Sequence, residues 1–121
     1  MFEIPHTVVE TEPFLRQAAS LWSDEERQEF VSFIGSNKFA GAEIPGTGGL
    51  RKVRWSRAGM GKRGGARVIY YYYQETTPLY LLWAYAKSVQ EDLTPKEKAL
   101  FSNLADQLKS AHKERRKAAR S

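Results

Sequence analysis

Leu50-Arg51-Lys52-Val53-Arg54-Trp55-Ser56-Arg57 is the stretch that decides the fold, and Ala66-Arg67-Val68-Ile69-Tyr70-Tyr71-Tyr72-Tyr73 and Leu79-Tyr80-Leu81-Leu82-Trp83-Ala84-Tyr85-Ala86 repeat its kind. All three runs are rich in β-branched and aromatic side chains, which suit a pleated, half-buried surface. The connections, residues 58–65 and 74–78, contain glycine or proline and are short enough for antiparallel hairpins. Side chains alternate between the two faces of a strand. In the first run this puts Lys52 and Arg54 on one side and Val53 and Trp55 on the other. The tyrosines Tyr70 to Tyr73 are split between the faces. The simplest arrangement turns the apolar pair toward helices and the cationic pair away from them.

Helices flank these strands. Residues 3–10 read as a short first strand, which Pro5 confines to an edge or a strand start. Thr11-Glu12-Pro13 opens a helix with Phe14, Leu15, Ala18, Ala19 and Trp22 on its apolar side. Ser23-Asp24-Glu25-Glu26 is a capping box for a second helix. That helix buries Phe30, Val31, Phe33 and Ile34 and ends at Gly35 and Asn37. Residues 41–49 form a glycine-rich loop. Thr94-Pro95-Lys96-Glu97 caps a terminal helix whose inner stripe is Leu100, Phe101, Leu104, Ala105, Leu108 and Ala111. The expected fold is α+β, in the order β-α-α-β-β-β-α, with the helices layered on one face of a small, mostly antiparallel sheet. It makes one domain over residues 1–121, with a basic tail at 112–121 that frays from the helix.

Composition narrows the chemistry. A chain of 121 residues without cysteine has no disulfide framework, thiolate metal site or cysteine nucleophile. Its two histidines, His6 and His112, lie at opposite ends and suit neither a metal cluster nor a triad. No metal or other cofactor is expected. The longest apolar stretch is interrupted at residues 74–78, so no transmembrane helix is expected, and the first residues lack the pattern of a signal peptide. A reducing cytoplasm is the expected setting.

The net charge of +5 is unevenly distributed. Residues 50–73 hold seven cations (Arg51, Lys52, Arg54, Arg57, Lys62, Arg63, Arg67) and no acid, whereas residues 1–49 carry three basic and eight acidic groups. The last 13 residues add six basic groups against Glu114. Edge strands often carry Lys and Arg against water simply to deter aggregation. Uncompensated repulsion within one segment points further, to a polyanion such as a phosphate backbone. Lys52, Arg54, Arg67 and Lys87, which ends the last strand, are expected to converge on one open face. Arg51, Arg57, Lys62 and Arg63 are expected to contact RNA around it, and neighbouring aromatic rings could stack on bases. Residues 59–64 match GxGxxG formally, but a strand follows where a dinucleotide fingerprint needs a helix, so the segment reads as a hairpin tip.

Three stretches together, Gly49-Leu50-Arg51-Lys52-Val53-Arg54-Trp55, Gly64-Gly65-Ala66-Arg67-Val68-Ile69-Tyr70-Tyr71 and Leu82-Trp83-Ala84-Tyr85-Ala86-Lys87, resemble the RelE/HigB-like toxins of bacterial type II toxin–antitoxin systems. The following Glu91-Asp92-Leu93-Thr94 is similar to the HigB-like branch. The resemblance implies a RelE-like fold and a ribosome-dependent endoribonuclease that cuts mRNA in the translational A site. It also implies a cognate antitoxin, of helix-turn-helix type, that inhibits the toxin and through which alone it would meet operator DNA. Ribosome and mRNA are the other implied partners, and no membrane is involved. By position, the family's catalytic cations fall on Lys52, Arg54, Arg67 and Lys87. RelE proper has a catalytic tyrosine shortly after the last of these, and residues 87–94 contain none.

Metal-independent cleavage uses the ribose 2′-hydroxyl as nucleophile, and negative charge gathers on the phosphoryl oxygens. Convergent cations stabilise that transition state. An ammonium crowded by cations gives up its proton more readily. Lys52 is therefore expected as base or proton shuttle, Arg54 and Arg67 as clamps, and Lys87 beside the leaving oxygen. The competing readings are a non-catalytic RNA- or DNA-binding module that uses the same basic sheet, and a degenerate toxin-like protein whose cationic face serves only assembly.

Overall fold

The computed structural model describes residues 5–56 and 65–120. They form β1 (Val8–Glu10), α1 (Glu12–Leu21), α2 (Asp24–Ser36), β2 (Ala42–Glu43), β3 (Leu50–Trp55), β4 (Ala66–Tyr71), β5 (Leu79–Ala86) and α3 (Pro95–Arg120). The expected order holds, with the two-residue β2 added inside the loop at 41–49. The five strands lie in the order β1-β5-β4-β3-β2. β1 runs parallel to β5, and the other neighbours pair antiparallel.

Both capping boxes form. The Glu26 amide donates to Ser23 Oγ and the Ser23 amide to Glu26 Oε1, and Thr94 and Glu97 make the same exchange. Thr11 does not cap α1 with its side chain; its hydroxyl donates to the Leu81 carbonyl at 2.7 Å, tying the start of the helix to β5.

The helices do not share one layer. α1 and α2 cover one face of the sheet, where Phe14, Ala18, Trp22, Phe30 and Ile34 pack on Val53, Val68, Tyr70, Leu81 and Ala84. α3 covers the opposite face, where Phe101 and Ala105 meet Leu50, Ile69, Tyr71, Leu82 and Tyr85. Apolar side chains on both faces of β4 require this, since all six of its residues are buried. In β5 the register with β4 jumps from Tyr70↔Leu81 to Ile69↔Trp83, so Leu82 is the extra residue of a bulge and joins the α3 side. The stripe expected on α3 is narrower than the sequence suggests, because Leu100 and Ala111 are exposed. The helix is also continuous to Arg120, past the start of the expected frayed tail.

Candidate anion-binding site

β3 and β4 build most of the site. Arg54 stands directly across from Arg67, and Arg67 directly across from Tyr85, so one row crosses three strands. Lys52 lies two residues along β3 from Arg54, on the same face by alternation and about 7 Å away along the strand. Gly65 marks the centre. A methyl group on it would stand 3.6 Å from Arg54 Cγ and 3.7 Å from Arg67 Nη1. The Lys87 amide donates to the Gly65 carbonyl at 3.2 Å, bringing the residue that follows β5 to the same corner.

Arg67 is the unusual member. It is only 8% exposed, and among the described residues it has no carboxylate partner. Its guanidinium's one hydrogen bond there is a 3.4 Å contact to the Ala66 carbonyl. A guanidinium that gives up water without a counter-ion costs several kcal/mol, roughly, in desolvation. Such a group is poised for an anion. Arg54, by contrast, is exposed, and so is Lys87.

Lys52 does have a partner. Its ammonium lies 3.2 Å from Asp92 Oδ1, and the same oxygen accepts the Leu93 amide at 2.8 Å. The Asp92 carboxyl is held below the ordinary carboxylate range, mainly by that amide, with Lys52 adding to the effect against a burial contribution that opposes it. The loop carrying Asp92 is braced by Gln90, whose amide donates to the Asp92 carbonyl at 2.7 Å and to Glu97 Oε1 at 2.6 Å. In an ion pair Lys52 is an ammonium, which donates hydrogen bonds and accepts none. That suits a side chain which donates to phosphoryl oxygens.

Tyr85 completes the row. Its hydroxyl is buried and has no hydrogen-bond partner among the described residues. Burial pushes its pKa up to about 12, with Asp92 adding to the rise and Arg67 opposing it. At neutral pH it is a phenol with a proton to donate.

Arg57, Lys62 and Arg63 fall outside the described residues, as does the GxGxxG segment at 59–64. Arg51 is on the opposite face from Lys52 and Arg54. There it donates to the Gly41 carbonyl at 2.6 Å, lies 3.8 Å from Glu43, and stacks 5.1 Å from the centre of the exposed Phe39 ring. His6 packs its ring edge-on to Tyr72 and hydrogen-bonds the Thr77 carbonyl, a structural role.

Sequence reasoning missed Tyr85 and Asp92. Strand alternation could have found Tyr85, since it shares a face with Trp83. No local pattern announces Asp92, because its contact with Lys52 spans 40 positions.

A two-faced α+β sheet that gathers Lys52, Arg54 and Arg67 on one face defines the class of small α+β proteins with a cationic corner. Comparison with known proteins narrows the class. The family described as "RelE toxin of RelE / RelB toxin-antitoxin system" matches residues 8–120, so the chain belongs to the RelE toxin family and is the toxin member of a toxin–antitoxin pair. Among solved structures, a double-arginine mutant of the E. coli toxin RelE in the free state is similar in fold, with a TM-score of 0.52 at 14% identity. The similarity covers 73% of this chain and 90% of that one. Among the described residues, no helix is long and apolar enough to cross a membrane, and no group of His, Asp and Glu is placed to hold a metal ion.

Proposed function

We propose that the protein is a ribosome-dependent endoribonuclease that cuts mRNA in the A site without a metal, using Lys52, Arg54, Arg67 and Lys87 around the scissile phosphate. The carrying observation is Arg67, a buried arginine without a carboxylate partner among the described residues, directly across from Arg54. Family membership supports the substrate class. The 2′-hydroxyl attacks phosphorus, and the products are a cyclic phosphate and a 5′-hydroxyl. Arg54 and Arg67, charged at any physiological pH, clamp the phosphoryl oxygens. The Lys52 ammonium adds a third positive charge, and Lys87 stands beside the leaving oxygen. Arg57, Lys62 and Arg63, on the segment between β3 and β4, extend the contact with RNA. A cognate RelB-type antitoxin neutralises the activity and, through a helix-turn-helix of its own, carries the complex to operator DNA. The site of action is the cytoplasm, where ribosomes translate.

The test is cleavage of a defined message on programmed ribosomes by the purified toxin, with mapped ends. Wild type is expected to yield fragments with a cyclic phosphate and a 5′-hydroxyl. A protein carrying Lys52→Ala and Arg67→Ala is expected to fold, to leave the message whole and to permit growth on induction. A double variant that still cut ribosome-bound message would refute the assignment. A wild type that bound ribosomes without cutting would favour a non-catalytic RNA-binding module.

A further inference from the structure

The proposed cleavage needs a group to take the proton from the 2′-hydroxyl, and the four cations are all donors. Tyr85 cannot serve, because its buried phenol keeps its proton. His6, just before β1, is engaged with Thr77, and His112 with Gln74 on the far half of α3. Among the described residues, the acceptor that touches the cationic group is Asp92, 3.2 Å from Lys52.

Asp92 has the geometry for the task. Its Oδ1 is occupied by the Leu93 amide and the Lys52 ammonium, while Oδ2 has no hydrogen bond among the described residues. The side chain is 67% exposed, so a ribose can reach it. Its loop is fixed at both ends: Lys87 is bonded to Gly65 through the backbone, and the Thr94–Glu97 capping box anchors the start of α3. Gln90 braces the middle through the Asp92 carbonyl and Glu97. Among the described residues, the one carboxylate in contact with the cluster is thus presented with one oxygen committed and the other open.

We infer that Asp92 is the general base of this nuclease, an assignment that rests on the endoribonuclease reading above. Asp92 Oδ2 takes the 2′-hydroxyl proton as the 2′-oxygen bonds to phosphorus. The bond from phosphorus to the 5′-oxygen breaks, and that oxygen takes a proton from the Lys87 ammonium. The protonated Asp92 and the neutral Lys87 amine then return to their starting states by exchange with water. Lys52 stays an ammonium throughout, holding Asp92 in place and facing the phosphoryl oxygens.

Asp92→Asn separates a base from a mere positioning group, because an amide oxygen can still accept from Leu93 and Lys52 but is not basic. In single-turnover cleavage on programmed ribosomes, Asp92→Asn is expected to lose between about 10²- and 10⁴-fold in rate. Its ribosome affinity and thermal stability should be near those of wild type. Asp92→His supplies an acceptor with an ordinary pKa near ~6.5. Its rate should therefore rise with pH between about 5.5 and 7.5, a range over which wild type is flat. An Asp92→Asn protein within about threefold of wild type, or an Asp92→His protein without the new pH dependence, overturns the inference and leaves the nuclease reading intact. A wild type that does not cleave overturns both.

Discussion

Replacing Arg67 with methionine should make the protein more stable and less active. Arg67 is 8% exposed, its guanidinium among the described residues is bonded only to a carbonyl 3.4 Å away, and it is flanked by Arg54 and by the Tyr85 hydroxyl, which has no partner there. Methionine fills a similar volume without a charge to desolvate. Swapping buried ionic groups for apolar ones of similar size stabilises proteins by about 1–4 kcal/mol. Some contact with water remains at Arg67, so the lower part of that range, about 1–2 kcal/mol, is expected. For a domain of this size that is a rise in Tm of ~3–10 °C. The assay is thermal unfolding with and without phosphate. An anion at about ten times its Kd adds about 1.4 kcal/mol to a protein that binds it only when folded. Wild type should gain this, and Arg67→Met should not, while its cleavage rate falls at least about 100-fold. A destabilised Arg67→Met, or equal stabilisation of both proteins by phosphate, would show that Arg67 supports the fold and does not await an anion.

Two further outcomes concern the frame of the site. A methyl at Gly41 would stand 2.8 Å from the Lys52 carbonyl oxygen and 2.8 Å from the Tyr70 ring. Gly41→Ala should therefore lower stability by about 1–3 kcal/mol in a urea melt. Tyr70→Phe should do similarly by removing the bonds from the Gly41 amide, at 2.9 Å, and to the Lys38 carbonyl, at 2.8 Å. Burial pushes the pKa values of Tyr71 and Tyr85 up to about 12 in the folded protein, against ~10 in an unfolded chain. Because the folded state binds the extra protons, their contribution is complete below about pH 10 and is lost as the pH rises toward ~12. Tm measured across that interval should fall, and less steeply in Tyr85→Phe.

Much of the sheet was legible because its alternation is strict. Lys52 and Arg54 do share a face, and Val53 and Trp55 do turn toward α1 and α2. The same alternation puts Arg51 with Val53 and Trp55, which is where it lies, so grouping Arg51 with its charged neighbours ignored the pleat. Placing all the helices on one face failed for a different reason. The run from Ala66 to Tyr71 is apolar on both sides, the mark of a strand buried twice, and α3 is what covers the second side. The bulge at Leu82 could not be read locally, since two leucines in succession fit either face. Arg67 was visible as a cation but not as a buried one. Its burial depends on β3, β5 and Tyr85, which only the register brings together.

Why the corner stays open follows from where α3 becomes apolar. Its first buried residue is Phe101, six positions after Pro95, and the intervening turns carry Lys96, Glu97 and Lys98. Glu97 is committed to the Thr94 amide and to Gln90. Lys96, Glu97 and Lys98 thus bring no apolar side chain to the row of Arg54 and Arg67, while Phe101 and Ala105 seal Leu50, Ile69 and Tyr71 beside it. Stability on this face is concentrated under the middle of the helix, and charge under the loop that precedes it. Substitutions in residues 87–92 should accordingly change what the cationic corner does to a phosphate and leave the packing beneath α3 unaltered, whereas Leu93 packs against that cluster. A nuclease needs that separation if its reactive groups are to stand partly desolvated on a fold whose core does not depend on them.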